Sequence, residues 1–315
     1  MSRPLAALTG ASGFLGRHIG RALEGGGYRV RILARAAPST QDGLEAASEL
    51  VVGRLDDGEA LAVLVRGCEV VVHAAGLIKA RRRQDFTLVN VEGSRRLAQA
   101  AARHAPDARI VQVSSLAARE PLLSSYAASK RAAEDAMRQV LAPDRLTIVR
   151  PPAIYGPGDR ETLALFRAVK SLPMIPLPGA DRARLALIHV ADAARQIAAL
   201  AQTDASGATW ALADGRPQGY GWKQIMAAAG EALGRRRAFV QLPASAVLAV
   251  GAVSAGLARL GGGAPIFNLG KARELLHPDW SVAPSDLAPG GPPLRFDLAG
   301  GFADTVAWYR AQGWL

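Results

Sequence analysis

A glycine turn set between an apolar strand and a helical pattern most narrows what this chain can fold into. Residues Thr9-Gly10-Ala11-Ser12-Gly13-Phe14-Leu15-Gly16 follow the apolar run Leu5–Thr9 and open the helical pattern Phe14–Leu23. Gly10, Gly13 and Gly16 carry the spacing G-x-x-G-x-x-G. The first glycine permits a tight turn, the second lets a diphosphate approach the backbone, and the third lets helix pack on strand. The diphosphate then meets unpaired N–H groups at the positive end of the helix dipole. The turn therefore predicts a dinucleotide site, with Ser12, Phe14 and Leu15 completing the cradle.

The rest of the first half keeps this cadence. Strand patterns at Tyr28–Ala34, Leu50–Gly53, Glu69–His73, Arg109–Ser114 and Leu146–Arg150 alternate with helical ones at Gly58–Arg66, Gln84–His104 and Ser125–Leu141. Such alternation implies a parallel sheet with right-handed crossovers. The valine run Val70-Val71-Val72 suits a strand covered on both faces. Residues 1–150 thus read as an α/β dinucleotide-binding core with a doubly wound parallel sheet, the Rossmann arrangement. After Arg150-Pro151-Pro152 the cadence fades and prolines crowd as far as Pro178. Helical patterns at Glu161–Ser171, Val190–Ala201, Trp222–Leu233, Pro243–Leu260 and Leu298–Gln312 make residues 151–315 mainly a smaller C-terminal substrate lobe. Some of its segments are expected to return to the core, and Pro284–Pro293 reads as a loop.

Composition limits the function classes. Half of the 315 residues are hydrophobic and 21% are charged, which supports a sizeable core and argues against disorder. The single cysteine, Cys68, excludes an intrachain disulfide and a CxxC metal site, so no metal is expected. The apolar start Leu5–Leu8 is too short for a secretory signal, and the chain reads as cytoplasmic. A net charge of +11 suits an anionic partner: a phosphorylated cofactor, a membrane surface or nucleic acid. Aromatic residues make up only 5% and do not interleave with basic ones, so nucleic acid is the weakest of the three.

The end of the second strand bears on which cofactor is held. An acid there would bind the ribose diol of NAD, but the chain runs Val30-Arg31-Ile32-Leu33-Ala34-Arg35. A guanidinium at Arg35 can pair with a 2′-phosphate, which favours NADP(H) over NAD(H). The alternative is an ordinary solvated arginine at a strand end.

A second motif supplies chemistry. Tyr126 and Lys130 stand four apart in Tyr126-Ala127-Ala128-Ser129-Lys130 and so share one helical face. An ammonium beside a phenol favours the phenolate, which prepares the tyrosine to exchange a proton with a substrate oxygen. Lys130 is also placed to hold the nicotinamide ribose. Ser115, at the end of the Arg109–Ser114 strand, can stabilise charge developing on the same oxygen.

Taken together, these pieces resemble the extended short-chain dehydrogenases/reductases, the superfamily of nucleotide-sugar epimerases, dihydroflavonol reductases and 3β-hydroxysteroid dehydrogenases. The matching segments are Thr9–Gly16, His73-Ala74-Ala75-Gly76, Asn90-Val91-Glu92-Gly93-Ser94, Val113-Ser114-Ser115, Tyr126 with Lys130, Arg150 to Gly158, and His189-Val190-Ala191-Asp192-Ala193. The resemblance implies a sheet of about seven strands. It makes Tyr126 the acid/base, Lys130 its partner and Ser115 the polarising serine. It also implies that Ala74, Ala75, Gly76, Pro151 and Ile154 line the cofactor and that Asn90 supports the catalytic group. In relatives, helices corresponding to Gln84–His104 and Ser125–Leu141 often form a dimer, so a homodimer is open. The chain departs from the family at Gly53-Arg54-Leu55, where an aspartate usually replaces Arg54 and meets the adenine. Asp56 or Asp57 can substitute, or backbone alone can hold the adenine. A second cation at Arg54 agrees with a 2′-phosphate.

Two segments lean towards a hydrophobic small-molecule substrate. Ala244–Ala258 is uncharged and follows Arg235-Arg236-Arg237. It falls short of the ~20 apolar residues needed to span a bilayer. It reads either as an apolar helix resting peripherally on the inner face of a membrane or as a buried lobe helix or dimer contact. Lys79-Ala80-Arg81-Arg82-Arg83 reads as a solvated charge run rather than a head-group site. The ending Trp308-Tyr309-Arg310 to Gly313-Trp314-Leu315 resembles bacterial members that reduce sterol or 3-keto-lipid substrates, including 3-keto-ceramide. The expectation is NADPH-dependent reduction of a lipid-like ketone. The alternatives are a nucleotide-sugar epimerase or dehydratase, or a catalytically silent structural subunit.

Overall fold

A computed structural model describes residues 3–36, 49–179, 182–203, 207–260, 267–288 and 290–315, with side chains of 255–260 excluded. The last part of the Ala244–Ala258 run and Pro289 of the expected loop therefore lie outside the described side chains. The strands are β1 Leu5–Thr9, β2 Arg29–Ala34, β3 Glu49–Val52, β4 Val70–His73, β5 Arg109–Val113, β6 Leu146–Arg150, β7 Ala153–Tyr155, β8 Met174–Pro178, β9 Arg184–Leu185, β10 Leu187–His189, β11 Thr209–Ala211, β12 Ala238–Leu242 and β13 Asp279–Trp280. The α-helices are α1 Phe14–Gly25, α2 Gly58–Val65, α3 Arg83–Phe86, α4 Gly93–His104, α5 Ser125–Arg138, α6 Leu163–Ser171, α7 Val190–Leu200, α8 Trp222–Leu233, α9 Ala244–Leu260, α10 Leu269–Leu276 and α11 Leu298–Ala311.

The chain divides into two compact units. The first holds Met1–Arg150, Ala194–Trp210 and Ala288–Pro292. Its seven-stranded sheet has the order β11-β6-β5-β4-β1-β2-β3. The pairs from β3 through β6 are parallel, with Thr9 opposite His73 across β1 and β4. The order reverses between β1 and β4, and ligands of doubly wound sheets bind beyond the carboxyl ends of the strands at such a point. Val70, Val71 and Val72 are fully buried, as a strand covered on both faces requires. One core cluster joins Leu61 and Leu64 of α2, Leu97 and Ala101 of α4, and Val71 and Ile110 of the sheet.

The expected helix Gln84–His104 contains a surprise. Between α3 and α4 the residues Thr87–Glu92 form a π-helical segment. Such segments insert an extra residue into a turn and often mark functional positions. This one carries Asn90, which turns away from the helix ladder to grip another loop, as described below.

The second unit holds Pro151–Ala193, Ala211–Leu287 and Pro293–Leu315. Its strands form the two-stranded pairs β7–β10, β8–β12 and β9–β13. With two to five residues each, they are too short to announce themselves as periodic patterns. An aromatic core organises the unit. The Phe302 ring lies 4.9 Å from Tyr155 and 5.0 Å from Phe166, both edge-on. The C-terminal Trp314 stacks on Tyr309 at 5.7 Å.

Candidate active site

The glycine turn is built as the spacing demands. Gly10 adopts a φ of +77°, the left-handed region that favours glycine. A Cβ at Gly10 would come within 2.6 Å of Ala75 N, and one at Gly16 within 1.9 Å of Gly10 O. Gly13 donates to Gly10 O at 2.9 Å and caps α1 without any side-chain bond. The first turn of α1 carries no acid, which leaves its N–H groups suited to an anion. This helix start and the close approach of Gly10 to Ala74 and Ala75 fit a dinucleotide diphosphate. Ser12 is exposed beside it, and Phe14 and Leu15 are half-buried.

Gly76 lies beside Asn90 and Lys130. A Cβ there would lie 3.2 Å from Asn90 Oδ1 and 3.8 Å from Lys130 Nζ. Gly10, Ala74, Ala75, Gly76, Asn90 and Lys130, far apart in sequence, thus meet at the ends of β1 and β4. Lys130 is buried and donates from Nζ to Val113 O at 2.8 Å, which docks α5 on the last residue of β5. Burial pushes its ammonium down to about 8, against the opposing pull of Glu134. Tyr126 stands in the first turn of α5, half-buried, its ring 6.2 Å from Phe86.

The two serines after β5 separate cleanly. Ser114 is buried and donates to Glu134 Oε1 at 2.6 Å. Ser115 is half-buried, and its Oγ accepts from Ala117 N at 3.2 Å. Glu134 itself is fully buried and receives Arg150 Nε at 2.8 Å and Nη2 at 2.6 Å. Sequence reasoning overlooked Glu134, although it stands four residues beyond Lys130 on the same helical face.

A second buried chain runs behind the glycine turn. Thr9 Oγ1 meets His73 Nδ1 at 2.7 Å, and His73 Nε2 meets Ser94 Oγ at 3.0 Å. Ser94 uses its own proton on Asn90 O at 2.6 Å, so it accepts from His73 and fixes the imidazole as the Nε2–H tautomer. Burial, with the Lys130 cation nearby, holds that imidazole down to about 3, hence neutral. Asn90 accepts from Leu77 N at 2.7 Å and donates to Leu77 O at 3.0 Å and to Ser129 Oγ at 2.9 Å. Ser129 then donates to Tyr126 O at 2.7 Å. The π-helical segment thereby ties the loop after β4 to the helix of Tyr126.

The adenine end is less closed. Arg35 is exposed one residue past β2, and Arg54 is exposed two residues past β3. Gly53 N donates to Ala34 O at 2.9 Å, so the two arginines flank one paired strand end. Arg54 Nε lies 3.3 Å from Asp56. Asp57 accepts from Ala60 N at 3.0 Å and is engaged in capping α2. Leu55 packs where a Cβ on Gly93 would come within 2.8 Å of it. Pro151 and Ile154 belong to the second unit, the first buried and the second half-buried in β7. Lys79, Arg81, Arg82 and Arg83 are exposed, with Arg82 3.1 Å from Asp85.

Comparison with known proteins agrees with this geometry. Residues 6–213 match the NAD dependent epimerase/dehydratase family. The chain is 46% identical over 314 residues to a ceramide reductase of Caulobacter vibrioides, covering 100% of this chain and 97% of that one. It is 32% identical over 229 residues to a 4-hydroxy-2-methyl-3-oxo-4-farnesyl-3,4-dihydroquinoline-1-oxide ketoreductase of Stigmatella aurantiaca, covering 67% and 68%. The crystal structure of gox2253 superposes with a TM-score of 0.76 at 25% identity, covering all of both chains. Glycine turn, strand order and full-length similarity agree, and the chain belongs to the NAD dependent epimerase/dehydratase family as an NAD(P)-dependent oxidoreductase of the extended short-chain type.

Proposed function

We propose that the chain reduces a ketone to a secondary alcohol on a hydrophobic, lipid-like substrate of ceramide, sphingoid or sterol type, using NADPH in preference to NADH. The observation that carries this reading is its end-to-end similarity to the Caulobacter ceramide reductase. NADPH, when bound, supplies a hydride to the carbonyl carbon. Tyr126 gives its phenol proton to the carbonyl oxygen, so that ketone, hydride and proton sum to the alcohol. Ser115, whose oxygen already accepts from Ala117 N, directs its own proton to that oxygen as charge develops. Lys130, cationic below about pH 8, stabilises the phenolate that proton transfer leaves on Tyr126. Ser114 takes no part, because its proton is committed to Glu134. A substrate of this kind resides in a bilayer, which brings the protein peripherally to a membrane's inner face.

The NADPH preference rests on Arg35 and Arg54, two exposed cations flanking the joined ends of β2 and β3. Comparing KM for NADPH and NADH in the wild type and in Arg35→Asp tests it. The variant is expected to lose its discrimination, and an unchanged preference sinks the assignment.

The reaction itself is tested by an NADPH-consumption screen across 3-keto lipids, sterols and sugar nucleotides, with Tyr126→Phe as control. Net consumption with a keto-lipid supports the proposal. The match of residues 6–213 to the epimerase/dehydratase family favours one other reading, a nucleotide-sugar epimerase or dehydratase. Such an enzyme converts a sugar nucleotide without net NADPH consumption. Turnover of that kind, or full activity in Tyr126→Phe, overturns the reductase.

A further inference from the structure

We propose that β12 and α9 of the second unit form the surface by which this protein rests on an anionic lipid bilayer. The inference deepens the lipid-reductase reading and rests on it for the choice of occupant. From Ala232 to Arg273 the sequence contains no aspartate or glutamate, while Arg235, Arg236, Arg237, Arg259, Lys271 and Arg273 are cationic. Within that stretch, residues 238–258 carry no charge at all. A core segment of this composition would be buried, yet residues 238–254 are largely exposed.

The β8–β12 pair shows why. Its register sets Ala238 beside Met174 and Val240 beside Pro176 on one face, with Ile175 and Phe239 on the other. The second face joins the aromatic core. The first remains open, with Met174 50% and Val240 40% exposed. Through Pro243 the chain passes directly into α9. There Val247 is buried, and Gly251 approaches α10, where a Cβ would come within 3.1 Å of Ala272 Cβ. The same helix leaves Val250 57% and Val253 62% exposed. Among the described residues no helix is long and apolar enough to cross a membrane, so α9 is suited to lie along a bilayer rather than through it.

Charge selects the occupant. An apolar stretch preceded by exposed arginines, with no acid between Ala232 and Arg273, repels another copy of itself electrostatically. It is attracted to phosphate head groups, whose attraction reaches about fivefold in binding for each surface arginine. Arg237 is committed to Val169 O and Lys170 O, whereas Arg235 and Arg236 are exposed just ahead of β12.

The test is co-sedimentation of the full chain with vesicles of phosphatidylcholine alone or with phosphatidylglycerol. Three proteins are compared: wild type, Arg235→Ala/Arg236→Ala, and Val250→Asp/Val253→Asp. The wild type is expected to bind the anionic vesicles and release in high salt. The arginine pair should weaken binding about 30-fold, and the valine pair should abolish it. Sedimentation is read without turnover, so a failed reductase assignment leaves the result intact. Should the reductase reading hold, both variants keep wild-type rates on a short-chain, water-soluble ketone and lose rate on the keto-lipid in vesicles. No binding by the wild type, equal binding by all three, or a concentration-dependent dimer that Val250→Asp/Val253→Asp dissociates would each overturn the proposal. Circular dichroism of both variants verifies that they fold.

Discussion

The two units use their buried polar groups for different ends. In the first, Asn90 bonds to Ser129, His73 to Thr9 and Ser94, and Glu134 to Ser114 and Arg150, while Lys130 bonds to the backbone at Val113 O. In the second, three buried acids each fasten a piece of main chain. Asp159 accepts from Glu161 N and Thr162 N, Asp192 from Arg295 N and Phe296 N, and Asp214 from Arg216 N and the Tyr220 hydroxyl. A buried carboxylate therefore does not by itself mark chemistry. What distinguishes the first unit is that its buried polar side chains gather beside a turn that only glycine can form.

The sharpest way to break this contrast is Tyr126→Phe. Loss of a positioned acid costs about 10²- to 10⁴-fold in rate. The expected result is that loss in kcat with cofactor affinity unchanged, measured by steady-state turnover and by fluorescence titration of the cofactor. Retained turnover would reduce the first network to scaffolding like the second.

Glu134→Gln comes next. It leaves Arg150 facing a neutral partner in a buried place, and breaking one side of such a pair costs about 3–5 kcal/mol. Urea denaturation measures it. A loss under 1 kcal/mol would mean that the pair is as replaceable as a surface bridge.

The third test uses pH. Lys130 titrates at about 8 in the folded chain against 10.5 as a free side chain. Between those values the unfolded chain holds more protons, so stability rises with pH across the window, by about 3 kcal/mol in full. On the role proposed for Lys130, reduction should move the other way, falling above about pH 8 as its cation disappears. Opposite trends in melting temperature and kcat over pH 7–10 are expected, and Lys130→Met should flatten both.

The smallest effect belongs to the second unit. Tyr220→Phe removes the 2.8 Å bond to Asp214, and stability should drop by about 1–2 kcal/mol. Cofactor affinity should be untouched, and a change in it would mean that the second unit's ties also govern the cofactor site.

The first unit was legible where backbone geometry demands a residue type. Gly10 and Gly16 declared themselves because no Cβ fits, and Tyr126 and Lys130 because helical spacing puts them on one face. Asn90 was visible only by resemblance. The π-helical segment that aims it at Leu77 leaves no periodic trace, since one inserted residue looks like a slight phase error. Glu134 was hidden for another reason: a glutamate in a helix is ordinarily solvated, and only the fold reveals Arg150 opposite it. In the second unit the strand pairs are too short for pattern, and β12 reads as part of an uncharged run whose partner strand lies some sixty residues earlier.

The glycine turn has an evolutionary corollary. At Gly16 the atom that even alanine adds would overlap Gly10 O, so substitution has no mild first step from which selection could proceed. Arg35 and Arg54 are the opposite case, exposed and bonded to little that the fold requires. On the proposed assignment of Arg35 and Arg54 to a 2′-phosphate, a lineage of such proteins could exchange one nicotinamide cofactor for the other by drifting at two surface arginines, while the glycine turn stays frozen.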